Sequence, residues 1–301
     1  MIVAVRLPKD LNHLFDIIME YIINKEDLKN PLLAETLSAL AACFAELDME
    51  LYVVGAVARD IAMHLLQMVD DARRTMDLDV AVLIKEWRQY DQLSEVLLRS
   101  YFTKAREKQR FFYVGENGTG RFMVDIVPFG DIAHNEQVAW PPEGTPVMSV
   151  RCFDDVMLHA DKVRVEDSFS FSMAPLSGQF LIKLDAWSDR HLITKKDAAD
   201  MVYIMQNVYV PYAMSRQTLP PEISIDASEF ELLVAGAEWI AVELRQMLSE
   251  GHRHFYATML KNEVSQAEQS ALLNDMMDVS SARNYRVLCR ALSRMAQILA
   301  S

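Results

Sequence analysis

The fold follows from the stretch Leu51-Tyr-Val-Val-Gly55-Ala-Val-Ala-Arg59. Its first four residues are apolar and rich in β-branched and aromatic side chains, which predicts a short buried strand. The apolar spacing from Val57 to Met68 predicts a helix. Gly55 stands at the junction, where a residue without a Cβ permits a tight turn. The stretch therefore predicts a strand, a glycine turn and a helix in direct succession.

A second strand is predicted over Asp77-Leu-Asp-Val-Ala-Val-Leu-Ile84, which alternates in polarity and then becomes wholly apolar. Asp77 and Asp79 are two residues apart, so a strand projects both carboxylates from one face. Asp125 lies in a further apolar run, Met123-Val-Asp-Ile-Val127, which also predicts a strand. Three carboxylates can therefore meet at one edge of a sheet.

Carboxylates that crowd together raise one another's pKa unless a cation compensates them, and hard oxygen ligands favour Mg²⁺ or Mn²⁺. A glycine turn that opens a helix aims backbone N–H groups at a phosphate. Together the two features suit phosphoryl transfer from a nucleoside triphosphate. The alternative is that Asp77 only caps or hydrates the end of a strand and that Asp125 is a surface acid of a hairpin.

The rest of the sequence predicts both helices and strands in the first half of the chain and mainly helices in the second half. Helical spacing predicts two N-terminal helices, Leu11 to Ile22 and Leu33 to Leu47. The proline-rich segment 140–146 predicts a loop. The other predicted elements are helices over Trp87–Leu98, Gln179–Ser188 and Lys195–Gln206, strands over Phe111–Val114 and Arg121–Phe129 joined at Asn117-Gly118, and short strands near Val163 and Phe169. We expect an α+β protein with one domain over 1–150 and a mainly helical one over 151–301.

Composition narrows the class of protein. The chain has 301 residues, 51% of them hydrophobic and 24% charged, which indicates a globular protein with a substantial core. Its three cysteines form no C-x-x-C pair, so we expect no disulfide framework, no cysteine-based zinc site and a reducing cytoplasm. We also expect no signal peptide and no membrane span, because Glu238 and Glu243 interrupt the most apolar C-terminal stretch.

The net charge of −13 repels polynucleotides and anionic lipid at long range, so any contact with nucleic acid must be local. One segment fits such a contact. Between residues 99 and 110 the bases outnumber the single acid Glu107, and aromatic residues are interleaved with them; the bases are Arg99, Lys104, Arg106, Lys108 and Arg110. The alternative is a solvated loop that leads into a strand.

The motifs resemble the polymerase β-type nucleotidyltransferase superfamily. Its signature is an apolar residue, a glycine and a small residue, followed later by alternating acids and apolar residues; here these are Val54-Gly55-Ala56 and Asp77-Leu78-Asp79-Val80. Within it the chain is most similar to the AbiEii/AbiGii toxin-like group. That similarity covers about residues 45 to 210 and is carried by the segments Val124 to Gly130, Trp140-Pro-Pro142, Ile182 to Arg190 and Lys196 to Asp200.

The resemblance implies a polymerase β-like core and transfer of a nucleoside monophosphate, with ATP or another NTP as donor. Asp77, Asp79 and Asp125 would bind the metal ions, and Asp125 would act on or orient the attacking hydroxyl. Lys183 would neutralise phosphate charge, and Asp197 or Asp200 would complete the site. The implied acceptor is the end of a tRNA or other RNA, or a protein side chain, and the implied setting is a toxin–antitoxin system with an antitoxin partner.

The chain departs from the family at one position. The family usually has Gly-Gly or Gly-Ser after the first strand, whereas Ala56 has no hydroxyl to donate to a phosphate. The segment Gly55-Ala-Val-Ala-Arg59-Asp60 resembles the corresponding turn of CCA-adding enzymes. Arg59 is therefore either a phosphate contact or a surface charge paired with Asp60. Two alternatives therefore remain: a catalytically weak NTP-binding or partner-binding protein of this fold, and a small-molecule nucleotidyltransferase. Without the resemblance, Lys183 would be a solvated helix charge paired with Asp185 or Asp189.

Overall fold

The computed structural model describes residues 3–8, 17–66, 77–116, 118, 120–215, 219–223, 230–279 and 284–301. These fall into two compact units, the first of which ends at Pro175, while the second is built mainly from Leu176–Ser301. The first unit combines a mixed sheet with helices, and the described part of the second contains helices without strands. The protein is therefore α+β.

The first unit contains eleven strands and four α-helices among its described residues. In chain order they are β1 (Val3–Pro8), β2 (Ile17–Ile23), α1 (Pro31–Glu46), β3 (Tyr52–Val54), α2 (Gly55–Leu65), β4 (Asp77–Leu83), α3 (Trp87–Arg99), β5 (Phe102–Lys104), β6 (Arg110–Tyr113), β7 (Phe122–Phe129), β8 (Gln137–Ala139), β9 (Val147–Ser149), α4 (Phe153–Leu158), β10 (Asp161–Val165) and β11 (Phe169–Met173). Nine of the strands form one sheet in the order β1-β2-β10-β11-β3-β4-β7-β6-β5, and β8 pairs with β9 separately.

The centre of this sheet carries the predicted acids. Strand β4 pairs antiparallel with β3 and parallel with β7. The residues of β4 and β7 that face the core, such as Leu78, Val80, Val124 and Ile126, have no exposed surface. The predictions of strand β3, a following helix, strand β4 and the β6–β7 hairpin are confirmed, with α2 beginning at Gly55 itself.

Helix α1 covers part of the sheet and confirms the helix predicted over Leu33 to Leu47. Asn30 caps its first turn, because the side-chain oxygen accepts hydrogen bonds from the N–H groups of Leu32 and Leu33. Its apolar face, which includes Leu37 and Phe44, is buried. The helix contacts β7, β11 and α3.

The prediction of a helix over Leu11 to Ile22 is wrong where the structure describes that segment. Residues 17–23 form β2, which pairs antiparallel with β1 and parallel with β10. The run Ile17-Ile-Met-Glu-Tyr-Ile-Ile23 is rich in β-branched side chains, and hydrogen bonds to two neighbouring strands outweigh the helical spacing of its apolar residues. Residues 11–16 lie outside the described part of the chain.

The boundary between the units follows Pro175, whereas the sequence placed it at residue 150. The proline-rich segment is a loop, as predicted, and it joins β8 to β9. After it, β10 and β11 form the predicted strands near Val163 and Phe169, but they insert into the large sheet between β2 and β3. Strand pairing across the sheet therefore extends the first unit beyond the loop.

The second unit consists of helices packed on one another. They are α5 (Leu176–Arg190), α6 (Lys196–Asn207), α7 (Tyr209–Ser215), α8 (Leu232–Met247), α9 (Glu250–Ser265), α10 (Ala271–Val279) and α11 (Tyr285–Ala300). Helix α8 is at the centre and contacts α5, α6, α7 and α11. Its buried Glu238 accepts a hydrogen bond of 2.6 Å from Nε of Arg294 on α11, which compensates the carboxylate. None of the described helices combines the length and apolarity needed to cross a bilayer.

Close contact between α8 and α6 generates the first prediction. A Cβ at Gly236 would lie 1.9 Å from the carbonyl oxygen of Met205. We expect Gly236→Ala to lower the free energy of unfolding by about 3 kcal/mol, because the helices would have to separate. Gly251→Ala on α9 is the control: its Cβ would meet no atom within 4 Å, so we expect a gain of up to about 1 kcal/mol. Urea denaturation monitored by circular dichroism would measure both, and equal effects would contradict the close packing.

Candidate functional site

The site begins where β3 passes into α2. Val54, the last residue of β3, pairs with Asp79 of β4, so the next residue, Gly55, comes against the Asp79 side chain. A Cβ at Gly55 would lie 2.2 Å from Oδ2 of Asp79, and Gly55 has φ +70°. No residue with a side chain fits this position without displacement. The glycine therefore lets the Asp79 carboxylate approach the start of helix α2, where the helix dipole favours negative charge.

Strand β4 presents two carboxylates on one face. Asp77 is exposed and Asp79 is partly buried, while Leu78 and Val80 between and beyond them are fully buried on the opposite face. This is the arrangement that the alternating sequence predicts. Its result is a pair of carboxylates, one above the other along the strand, beside the first turn of α2.

Asp125 lies on the neighbouring strand, level with Asp79. The two residues are register partners in the parallel pair β4–β7, so the sheet brings them side by side. Arg110 of β6 is in turn the antiparallel partner of Asp125 and binds it with two hydrogen bonds of 2.8 Å, from Nε to Oδ1 and from Nη2 to Oδ2. These bonds raise the pKa of Arg110. A polar row of Asp79, Asp125 and Arg110 thus crosses three neighbouring strands, β4, β7 and β6, and begins beside Gly55.

The sequence analysis did not identify Arg110 as the partner of Asp125. A signal for it was present, because the pairs of the β6–β7 hairpin are symmetrical about residues 117 and 118, the Asn-Gly pair that predicts a tight turn. Counting outward from that turn places Arg110 opposite Asp125. The register of a hairpin therefore supplies information that a list of charged residues lacks.

The carboxylates of the site fit a divalent cation in part. Among the described residues, no group of three or more His, Cys, Asp and Glu side chains is arranged to hold a metal ion. Both oxygens of Asp125 already accept hydrogen bonds from Arg110. Asp77 and Asp79 place two carboxylates, which are hard oxygen donors, on one face of β4. Mg²⁺ is commonly bound by one or two carboxylates together with substrate phosphates, so this pair fits a metal that arrives with a nucleotide.

Arg59 and Ala56 lie on the first turns of α2. The guanidinium of Arg59 donates from Nε and Nη2 to Oδ1 of Asp60 at 2.9 and 2.7 Å, and the residue is 8% exposed. The pairing that the sequence analysis weighed for Arg59 is therefore present. Ala56 contributes a methyl group and its backbone N–H at the helix start, so any phosphate there would bind to amides.

Lys183, Asp197 and Asp200 belong to the second unit, where they contact one another. Nζ of Lys183 lies 2.8 Å from Oδ2 of Asp200 and 3.4 Å from Oδ1 of Asp197. Asp197, which is fully buried, also accepts two hydrogen bonds from Arg190, at 2.7 and 2.8 Å. Burial alone would raise the pKa of Asp197, but the hydrogen bonds from Arg190 and the charge of Lys183 outweigh it and lower that pKa. The cluster ties α5 to α6.

The comparisons with known proteins add no relative. No family model matches the chain, and neither the curated proteins nor the solved structures contain a match.

The contact between Gly55 and Asp79 yields a stability prediction. We expect Gly55→Ala to lower the free energy of unfolding by about 3 kcal/mol, because the methyl group overlaps the carboxylate and the backbone is left-handed. Gly115→Ala is matched to it, with φ +71° and no atom within 4 Å of the added Cβ, so it should cost only about 1 kcal/mol. Urea denaturation would compare them, and equal losses would show that the Asp79 contact imposes no constraint.

The buried Asp197 yields a prediction about pH. We expect Asp197→Asn to lower the free energy of unfolding by about 2 kcal/mol at neutral pH, less than for a fully buried pair because Arg190 is half exposed. The native pKa lies below the ordinary 3.8, so the carboxylate stabilises the fold above that pH and loses this effect as the pH falls through the native pKa.

Denaturation curves between pH 3 and 7 would measure this difference. The difference in the free energy of unfolding between the wild type and Asp197→Asn should be constant near neutral pH and should disappear at the acid end of the range. Glu250→Gln, at an exposed position in the first turn of α9, is the control and should change stability by less than about 1 kcal/mol. If this difference in the free energy of unfolding stayed the same at acid pH, the proposal that an ionised Asp197 stabilises the fold would be contradicted.

Proposed function

We propose that the protein is a metal-dependent nucleotidyltransferase that moves a nucleoside monophosphate from an NTP to a hydroxyl acceptor and releases pyrophosphate. The observation that carries this proposal is the close approach of Asp79 to Gly55 at the start of α2, with Asp125 level with Asp79 on the next strand. Amides that attract phosphate and carboxylates that attract a cation then lie together. The proposal includes a polymerase β-like core, which the mixed central sheet and the order of the motifs support.

The residues at the start of α2 and the acids of β4 have separate roles in this proposal. The backbone amides at Gly55 and Ala56 would bind phosphate oxygens at the helix start. Asp77 and Asp79 would hold Mg²⁺ or Mn²⁺, which would screen the charge of the triphosphate and stabilise the charge that develops during transfer. The family resemblance implies that Lys183 would neutralise phosphate charge, a role that stays a prediction; within the second unit its ammonium group pairs with Asp197 and Asp200.

Asp125 would orient the attacking hydroxyl and take its proton. The hydroxyl oxygen forms a bond to the α-phosphorus, the bond from that phosphorus to the bridging oxygen breaks, and pyrophosphate leaves. A carboxylate can accept about four hydrogen bonds, so the two from Arg110 leave it able to accept one from a hydroxyl. Arg110 meanwhile fixes the orientation of the Asp125 carboxylate through its two charge-assisted hydrogen bonds.

A second candidate function is binding without transfer. The Arg110–Asp125 ion pair favours it, since it engages both oxygens of the third carboxylate, and Ala56 lacks the hydroxyl usual in the family. In that case the fold would bind an NTP and act through a protein partner, such as an antitoxin.

An assay with labelled nucleotides separates these functions. We expect transfer of label from an α-labelled NTP to RNA in the presence of Mg²⁺, and we expect Asp79→Asn to reduce it by at least about a hundredfold, since that change removes a charge at the reacting phosphate but preserves side-chain shape. Asp131→Asn, an exposed acid between β7 and β8, is the control and should retain activity.

The outcomes of this assay are distinct. Transfer that survives Asp79→Asn would reject the site. Absence of transfer with intact binding of a fluorescent NTP would favour the second candidate function. Label that appears on small molecules in the absence of RNA or protein acceptor would indicate a small-molecule nucleotidyltransferase.

A further inference from the structure

A groove of about 750 Å³ lies along the outer strands of the first unit's sheet, beside the polar row. Residues of β5 and β6 form its walls together with Gly118, Gly120 and Arg121, which precede β7. The residues with charged or aromatic side chains that line it are Lys104, Arg106, Glu107, Arg110, Phe112 and Arg121. The groove therefore holds four cationic side chains and one acidic side chain, on a chain whose net charge is −13.

The structure divides the basic segment that the sequence analysis singled out. Arg99 pairs with Glu46 at 3.2 Å, and Lys108 pairs with Glu143 and donates to the carbonyl oxygen of Pro141. These two bases are compensated within the protein and do not line the groove. The remaining three bases, Lys104, Arg106 and Arg110, line the groove, and Arg121 joins them from the start of β7.

Acids compensate two of the groove cations in part, because Arg110 binds Asp125 and the charge of Asp91 opposes the effect of burial on Lys104. Arg106 is exposed, and within the described residues no acid lies within ion-pair distance of it. Lys104 holds its ammonium 4.0 Å from the centre of the Phe111 ring, where desolvation lowers the pKa of Lys104 to about 8. Placing several cationic side chains in one groove costs free energy, and an anion bound in the groove would offset that cost.

The aromatic component favours a nucleic acid over other anions. The guanidinium carbon of Arg121 lies 4.1 Å from the centre of the Phe112 ring, within the range of a cation–π interaction. Planar guanidinium and aromatic groups stack on nucleobases, and cations spread along a groove follow a phosphate backbone. An acidic peptide would use the charges but not the stacking surface.

Arg110 connects the groove to the candidate site. It lines the groove and donates both hydrogen bonds to Asp125. A strand bound in the groove would therefore run toward the carboxylate proposed to orient the acceptor hydroxyl. We infer that this groove binds the backbone of a single-stranded polynucleotide and that this polynucleotide is the acceptor, an inference that rests on the proposed nucleotidyltransferase function.

Direct binding tests the inference independently of catalysis. The full chain would be titrated into a fluorescein-labelled oligouridylate without NTP or Mg²⁺, and anisotropy would be recorded over a range of salt concentrations. We expect Arg106→Gln combined with Arg121→Gln to weaken binding about tenfold or more and to flatten the salt dependence, since each lost phosphate contact removes about 0.7 from the slope of log K against log salt. Both residues are exposed, so folding should be preserved.

Two further variants sharpen the test. Arg88→Gln, an exposed arginine of α3 that does not line the groove, removes one charge and should leave affinity within about twofold. Phe112→Leu removes the stacking surface and should weaken binding of the oligonucleotide by about fivefold or more, without changing the salt slope. A loss in both groove variants, with Arg88→Gln unchanged, supports the inference.

Several results would overturn it. The inference fails if the double variant binds like Arg88→Gln. It also fails if polyglutamate competes as well as the oligonucleotide, which would indicate an acidic protein partner, or if inorganic triphosphate competes equally and Phe112→Leu has no effect, which would indicate a simple phosphate site. Transfer activity measured in parallel keeps the two proposals separate: if the wild type transfers label to another acceptor but does not bind the oligonucleotide, only the groove inference is rejected.

Discussion

The arrangement of the first unit depends on Gly55, because a methyl group at this residue would overlap the Asp79 carboxylate. The Asp79 carboxylate occupies the space that a side chain at residue 55 would fill, and the left-handed backbone of Gly55 turns the chain from β3 directly into α2. Because Val54 and Asp79 are strand partners, this contact fixes the helix start against the centre of the sheet. A helix terminus and a carboxylate are thereby held together by packing.

Charge compensation distinguishes the polar groups of the two units. In the second unit, Lys183 and Arg190 surround Asp197 and Asp200, and a buried pair of this kind stabilises the fold only because every charge has a partner. In the first unit, Arg110 compensates Asp125, while Asp77 stays exposed and the groove cations have few acids near them. The charges of this second-unit cluster are therefore compensated within the fold, whereas the first unit keeps an exposed carboxylate at Asp77.

Much of the first unit could be predicted from sequence because its signals are local. Alternation in Asp77 to Ile84 gave the faces of β4, and Asn30, Pro31 and the apolar stripe mark α1. Helical spacing failed for Ile17 to Ile23, where pairing with two strands decides the structure. The expected boundary at residue 150 fell short of Pro175 for the same reason, since insertion of β10 and β11 between β2 and β3 involves residues distant in the chain.

The order of residues is enough to identify which of them can form the site: a glycine after a buried strand, two acids on one face of the next strand, and a third acid in a later strand. Periodicity and side-chain chemistry fix these properties, and both are local. The three-dimensional fold is needed to place Asp125 level with Asp79 and beside Arg110, and to bring three bases of one segment and Arg121 into one groove. Strand order and register set these neighbours, and they depend on hydrogen bonds between segments far apart in the chain.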